Sequence, residues 1–157
     1  MTLPKKEKAT GKKVKLESNS ECKENNMTQL SGSIQSADWK TEKHVPVIEC
    51  PDSVSADQFF EVAVTVGKTV SHPNTTEHHI RWIKLLFRAE GEKTVYEMGN
   101  IDFAAHGESV KGANQGPAYA NPAARMFIKT SKAGTLQALS YCNIHGLWES
   151  SKEIKVC

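Results

Sequence analysis

The chain has 157 residues, 38% of them hydrophobic and 24% charged, with a net charge of +2. That length supports one domain with a real hydrophobic core, and so small a net charge excludes the whole-molecule field by which a protein gathers nucleic acid. No apolar run is long enough to span a membrane, and the first residues are too polar for a secretory signal. Four cysteines, Cys22, Cys50, Cys142 and Cys157, are too scattered to form a disulfide framework. The expectation is a cytoplasmic protein without nucleic-acid or membrane partners, in which a cysteine serves as a metal ligand more readily than in a disulfide.

Residues 1–35 form a polar extension in which Lys5, Lys6, Lys8, Lys12, Lys13 and Lys15 alternate with small polar residues. Such a segment buries too little apolar surface to offset the entropy of ordering it, so it is predicted to be disordered. A weak basic arm for an acidic partner or membrane surface is the sharper reading. Cys22 has no neighbouring Cys or His with which to open a metal knuckle.

The ordered domain is expected over 36–157. Glu42-Lys43-His44 runs into a short strand at Val45–Glu49, and Pro46 places that strand's start or the edge of a sheet there. Phe60, Val62, Val64 and Val66 alternate with Glu61, Ala63 and Thr65, the pattern of a half-buried strand that Gly67 ends. Pro73 and Asn74 mark a turn, which puts His72 and His78 on a connecting loop. Ile80–Phe87 reads as a strand buried on both faces, with Trp82 in the core. Thr94–Ala105 reads as another strand with a bulge or turn at Gly99. Residues 107–122 are Gly-, Pro- and Asn-rich, a long loop with room for one helical turn. Met126–Thr130 and Leu136–Cys142 are the last clear strands, with a short final one at Glu153–Val156. No segment carries a sustained helical period. About seven short strands separated by turns predict an all-β antiparallel sandwich.

Tyr141-Cys142-Asn143-Ile144-His145-Gly146-Leu147-Trp148 sets a thiol and an imidazole three residues apart at a strand end. Loops cluster at the ends of a sandwich, so His44, His72, His78 and this loop can converge. Four imidazoles and a thiolate exceed a structural zinc site and suit a redox metal with one position open. Three other readings stand beside it: a cupredoxin-like electron carrier, a zinc-stabilised binding module, and a cysteine hydrolase built on Cys142. His79 is set aside, because neighbours on an extended segment cannot both face one metal. His106 is expected to hydrogen-bond within the fold, Trp148 to shield the metal, and Cys50 and Cys157 to be free thiols.

Glu42-Lys43-His44-Val45-Pro46, His72-Pro73-Asn74-Thr75-Thr76-Glu77-His78-His79-Ile80 and Cys142-Asn143-Ile144-His145-Gly146-Leu147-Trp148 resemble the three signature blocks of the superoxide reductase family in its one-iron (neelaredoxin) form. Ala105-His106-Gly107-Glu108-Ser109-Val110 adds to the likeness, which runs from about Ser36 to about Lys155. The resemblance implies an immunoglobulin-like sandwich carrying one non-haem iron. His44, His72, His78 and His145 would be equatorial ligands and Cys142 the axial thiolate. Glu42 would be the sixth ligand in the ferric state, and Lys43 would stand beside the open face in the ferrous state. It also implies one-electron reduction of superoxide to hydrogen peroxide, a rubredoxin-type electron donor, and a homotetramer or dimer. Two-iron relatives carry a four-cysteine N-terminal domain; here that region holds only Cys22, so no second centre is expected.

Overall fold

The computed structural model describes residues 29–157. The expected disorder of residues 1–28, with Cys22, lies outside the described residues. The described residues form eight strands: β1 (Pro46–Glu49), β2 (Ser53–Val54), β3 (Phe60–Val66), β4 (Ile80–Ala89), β5 (Tyr96–Asp102), β6 (Ala123–Ile128), β7 (Gly134–Cys142) and β8 (Gly146–Val156). One sheet has the order β1-β3-β6 and the other β2-β8-β7-β4-β5. Every pairing is antiparallel except the two-residue β2, which runs parallel to the end of β8. The two sheets form the expected immunoglobulin-like sandwich.

Alternation decides which side chains enter the core. Val62, Val64 and Val66 of β3 face Ile83, Leu85 and Phe87 of β4 and Leu136 of β7, all buried in one apolar cluster that also includes Cys142. Burying side chains of this size contributes about 1.5–3 kcal/mol each. The opposite face of β4 is not buried as expected. Trp82, Lys84 and Leu86 remain half-exposed, and Trp82 stacks on Tyr141 (centroids 5.7 Å, 13°) outside the core. A run of large residues there reflects side chains packing along the outer surface of the sheet rather than a second core. Near Gly99 the expected bulge is present: Leu85 pairs with Gly99 and Leu86 with Glu97, leaving Met98 over.

Two further expectations change. The final strand spans Gly146–Val156 rather than four residues, and residues 107–122 contain no helical turn, only an isolated bridge from His106 to Tyr119. β1 is indeed an edge strand. Its sheet is tied to the other by side chains rather than by a ladder. Ser140 donates to the carbonyl of His44 (3.1 Å), Ser150 to that of Pro46, and Lys152 to that of Cys50 (2.8 Å). Order also begins before residue 36. A single 3-10 turn covers Leu30–Gly32, and Gln35 bridges in parallel to Trp148 of β8.

Candidate metal centre

Three segments at one end of the sandwich supply the site. His44 precedes β1, its backbone carbonyl held by Ser140. Its Nδ1 lies 2.6 Å from Glu42 Oε1. A carboxylate only accepts, so Nδ1 carries the proton and Nε2 is left with its lone pair. The Trp148 ring lies flat against His44 (4.9 Å, 15°) and covers one face of it.

His72 and His78 sit on the loop between β3 and β4. Gly67, at φ 78°, opens this loop, and a Cβ there would stand 2.6 Å from the His72 backbone nitrogen. Glycine alone fits such an approach. Asparagines then tie the loop down. Asn74 Nδ2 donates to the Ala120 carbonyl (2.9 Å), Asn114 Oδ1 accepts from the Thr76 amide (2.8 Å), and Asn143 Nδ2 donates to the Glu77 carbonyl (2.8 Å). His72 Nδ1 donates to the Pro73 carbonyl (2.6 Å), whereas its Nε2 is buried without any hydrogen-bond partner.

Cys142 and His145 flank a hairpin turn closed by the Cys142–Gly146 pair, with Gly146 at φ 78°. Cys142 is wholly buried and His145 exposed. One ligand atom each from His44, His78, Cys142 and His145 all lie within 4.8 Å of one another. His145 Nδ1 is 2.9 Å from His44 Nε2, 3.2 Å from His78 Nε2 and 3.4 Å from Cys142 Sγ. The His72 ring adjoins this group, its centroid 4.8 Å from His44 and 4.6 Å from His78.

A single proton on His145 Nδ1 cannot satisfy three neighbours, and lone pairs brought this close repel unless a cation lies among them. The buried, unpartnered His72 Nε2 makes the same demand. Four imidazole nitrogens and a thiolate are a donor set suited to a redox transition metal. The residues present therefore fit an iron centre.

The electrostatics favour the neutral form of three of the rings, His44, His72 and His78. Burial holds His44 below its ordinary imidazole value against the opposing Glu42 carboxylate, and it pushes His72 down to about 4. His78 is lowered by burial and then by the charges of His145 and Lys43. Lys43, half-buried, adds its charge to all three shifts. Burial pushes the Glu42 carboxyl up, but its hydrogen bonds from His44 outweigh that and leave it below its ordinary value. In this conformation Glu42 is bound to His44 Nδ1 and is not among the converging donors.

His79 turns away from the cluster, as expected. It is buried, donates from Nδ1 to the Thr75 carbonyl (2.9 Å) and stacks on His106 (3.6 Å, 11°). His106 hydrogen-bonds within the fold, Nδ1 to Asn74 Oδ1 (2.7 Å) and Nε2 to the Phe103 carbonyl (2.9 Å). Cys50 and Cys157 are free thiols. Sequence reasoning missed Asn74, Asn114 and Asn143. Asn74 and Asn143 directly follow Pro73 and Cys142, a position that signalled turns but not the loop-to-loop bonds their side chains make.

Comparison with known proteins agrees with this geometry. The family model described as Desulfoferrodoxin matches residues 36–151. The chain belongs to the desulfoferrodoxin family. The matched span contains all the residues expected at the iron: Glu42, Lys43, His44, His72, His78, Cys142 and His145. Among relatives, the chain is 59% identical to the neelaredoxin of Megalodesulfovibrio gigas, over 76% of this chain and 92% of that one. It is 55% identical to the superoxide reductase of Pyrococcus furiosus, over 77% and 95%. The reduced neelaredoxin of Archaeoglobus fulgidus superposes with a TM-score of 0.72 at 52% identity, covering 78% of this chain and 98% of that one.

Proposed function

We propose that this protein is a superoxide reductase. It converts superoxide to hydrogen peroxide by adding one electron and two protons at a single non-haem iron, and it releases no dioxygen. The ligands in this reading are His44, His72, His78, His145 and Cys142. The observation that carries it is the convergence of His145 Nδ1 with His44 Nε2, His78 Nε2 and Cys142 Sγ. When bound, the iron supplies the electron by passing between its ferrous and ferric states.

The chain's own residues do the rest. Lys43 draws the small anion toward the site and supplies a proton, directly or through water. Cys142, buried at the base of the hairpin, would hold the metal through its sulfur away from water and supply it with electron density. Glu42 fixes the ring of His44 through Nδ1. A hard carboxylate also suits ferric iron, so Glu42 would help hold the oxidised metal, giving up its bond to His44. Trp148 keeps water from one face of His44. The electron donor is a small redox protein of rubredoxin type, and the protein works in the cytoplasm as a homotetramer or dimer. Among the described residues no helix is long and apolar enough to cross a membrane.

Metal content, read with the visible spectrum before and after a mild oxidant, tests the proposal. One iron per chain is expected, nearly colourless when reduced and blue or green when oxidised through thiolate-to-iron charge transfer. Superoxide added to the reduced protein should give peroxide without dioxygen. Zinc that persists without colour change after reconstitution with iron would leave a binding module, and a single copper would leave an electron carrier.

A further inference from the structure

The hairpin turn that bears His145 is gripped from two sides. On one side Asn143 joins it to the His72–His79 loop: the Asn143 amide donates to the His79 carbonyl (3.1 Å), and Asn143 Oδ1 accepts from the His79 amide (2.9 Å). Nothing in those bonds restrains the later half of the turn, where His145 is exposed. The grip there comes from the other end of the chain. Gln35 Nε2 donates to the carbonyl of His145 itself (2.7 Å) across 110 positions. The Gln35 amide donates to the Leu147 carbonyl (3.0 Å), and its carbonyl accepts from the Glu149 amide (2.8 Å).

We propose that Gln35 is a positioning residue for the metal centre, a strap that sets where His145 Nδ1 stands. The side-chain amide fixes the backbone of the exposed ligand. Its two backbone bonds flank Trp148, whose ring lies against His44 (4.9 Å, 15°). Gln35 therefore reaches two ligands by separate routes, and a side-chain substitution interrupts only the route to His145. An exposed hydrogen bond adds little to global stability. Its effect is on geometry, because a ligand displaced by a fraction of an ångström changes the fit of the whole donor set.

This inference rests on the reading of His145 as an iron ligand. The test compares Gln35→Ala and Gln35→Lys with the parent in the full chain. In Gln35→Ala, amide hydrogen exchange at Ile144–Leu147 should quicken about tenfold in the metal-free protein, with other strands unchanged. Once loaded, it should lose iron to a chelator about tenfold faster and show a shifted thiolate-to-iron absorption band. Gln35→Lys, which keeps an N–H donor on a long stem, should restore all three. Parent-like exchange and iron release in Gln35→Ala would overturn the strap, as would equal impairment of the Lys variant. Failure of the ligand reading looks different: His145→Ala would then hold iron as tightly as the parent, while the exchange result in the metal-free protein would stand on its own.

Discussion

Two groups of histidines meet on the loop between β3 and β4, and they differ in what their ring nitrogens face. In one, His44, His78 and His145 turn nitrogens toward each other and toward Cys142, and His72 Nε2 faces no partner at all. In the other, His79 and His106 stack at 3.6 Å, with each hydrogen-bonded nitrogen against an oxygen of Thr75, Asn74 or Phe103. The second group is a strut whose hydrogen-bonded nitrogens all face protein oxygens. The first is incomplete without a cation. His78 and His79 are neighbours in the chain, so residue type and position do not separate them. The chemistry of their partners does.

Exchanging the two neighbours for alanine is the severest test of that contrast. His78→Ala should lower iron affinity by more than about 100-fold while leaving the unfolding midpoint of the metal-free protein nearly unchanged. His79→Ala should do the reverse, costing about 2 kcal/mol of stability, because it empties a buried, hydrogen-bonded position, yet keeping one iron per folded chain. Iron titration beside thermal unfolding reads both. An iron-free but stable His79→Ala protein would break the comparison.

Acid should sharpen it. His72 is held at about 4 in the fold against 6.5 in the free residue. The unfolded chain therefore takes up this proton first, and the metal-free protein loses stability as pH falls from about 6.5 toward about 4. The loss is on the order of 2 kcal/mol, below the full shift because the ring is partly solvated. His72→Gln should flatten that part of the pH–stability curve; an unchanged slope would mean that His72 is not the group being titrated.

Lys43→Ala should retain iron and slow superoxide reduction about tenfold at low ionic strength, with the difference shrinking as salt is added. Identical rates across ionic strength would remove the steering role. The smallest effect belongs to Glu42→Ala: turnover within about twofold of the parent, but an altered spectrum of the oxidised protein. Iron loss from that variant would instead make its bond to His44 the dominant role of Glu42.

Much of this was legible beforehand, for physical reasons that can be named. The alternation from Phe60 to Val66 gave β3 its limits, and Pro46 gave β1 its place at an edge. The convergence of the segments bearing His44, His78, Cys142 and His145 was legible because a sandwich gathers its loops at its ends. β8 was cut short because Ser150 and Lys152 point inward at positions where apolar residues are expected; they bond to carbonyls beside β1, so their polarity is satisfied and no alternation shows. Trp82 looked like core because composition does not reveal which face of β4 lies open. Gln35 left no signal, since a lone glutamine before Ser36-Ala37-Asp38-Trp39 reads as linker.

The three side chains that reach the carbonyls of His44, Pro46 and Cys50 have one more consequence. Pro46 opens β1, and His44 and Cys50 lie just outside the strand's two ends. An edge strand with free carbonyls is a template on which another chain can add a strand and start aggregation. Here Ser150 already occupies the Pro46 carbonyl, and Ser140 and Lys152 occupy those of His44 and Cys50 at the strand's two ends. The bonds that set the backbone of His44 against the opposite sheet thus also hinder strand addition at β1, and loosening them would put metal binding and solubility at risk together.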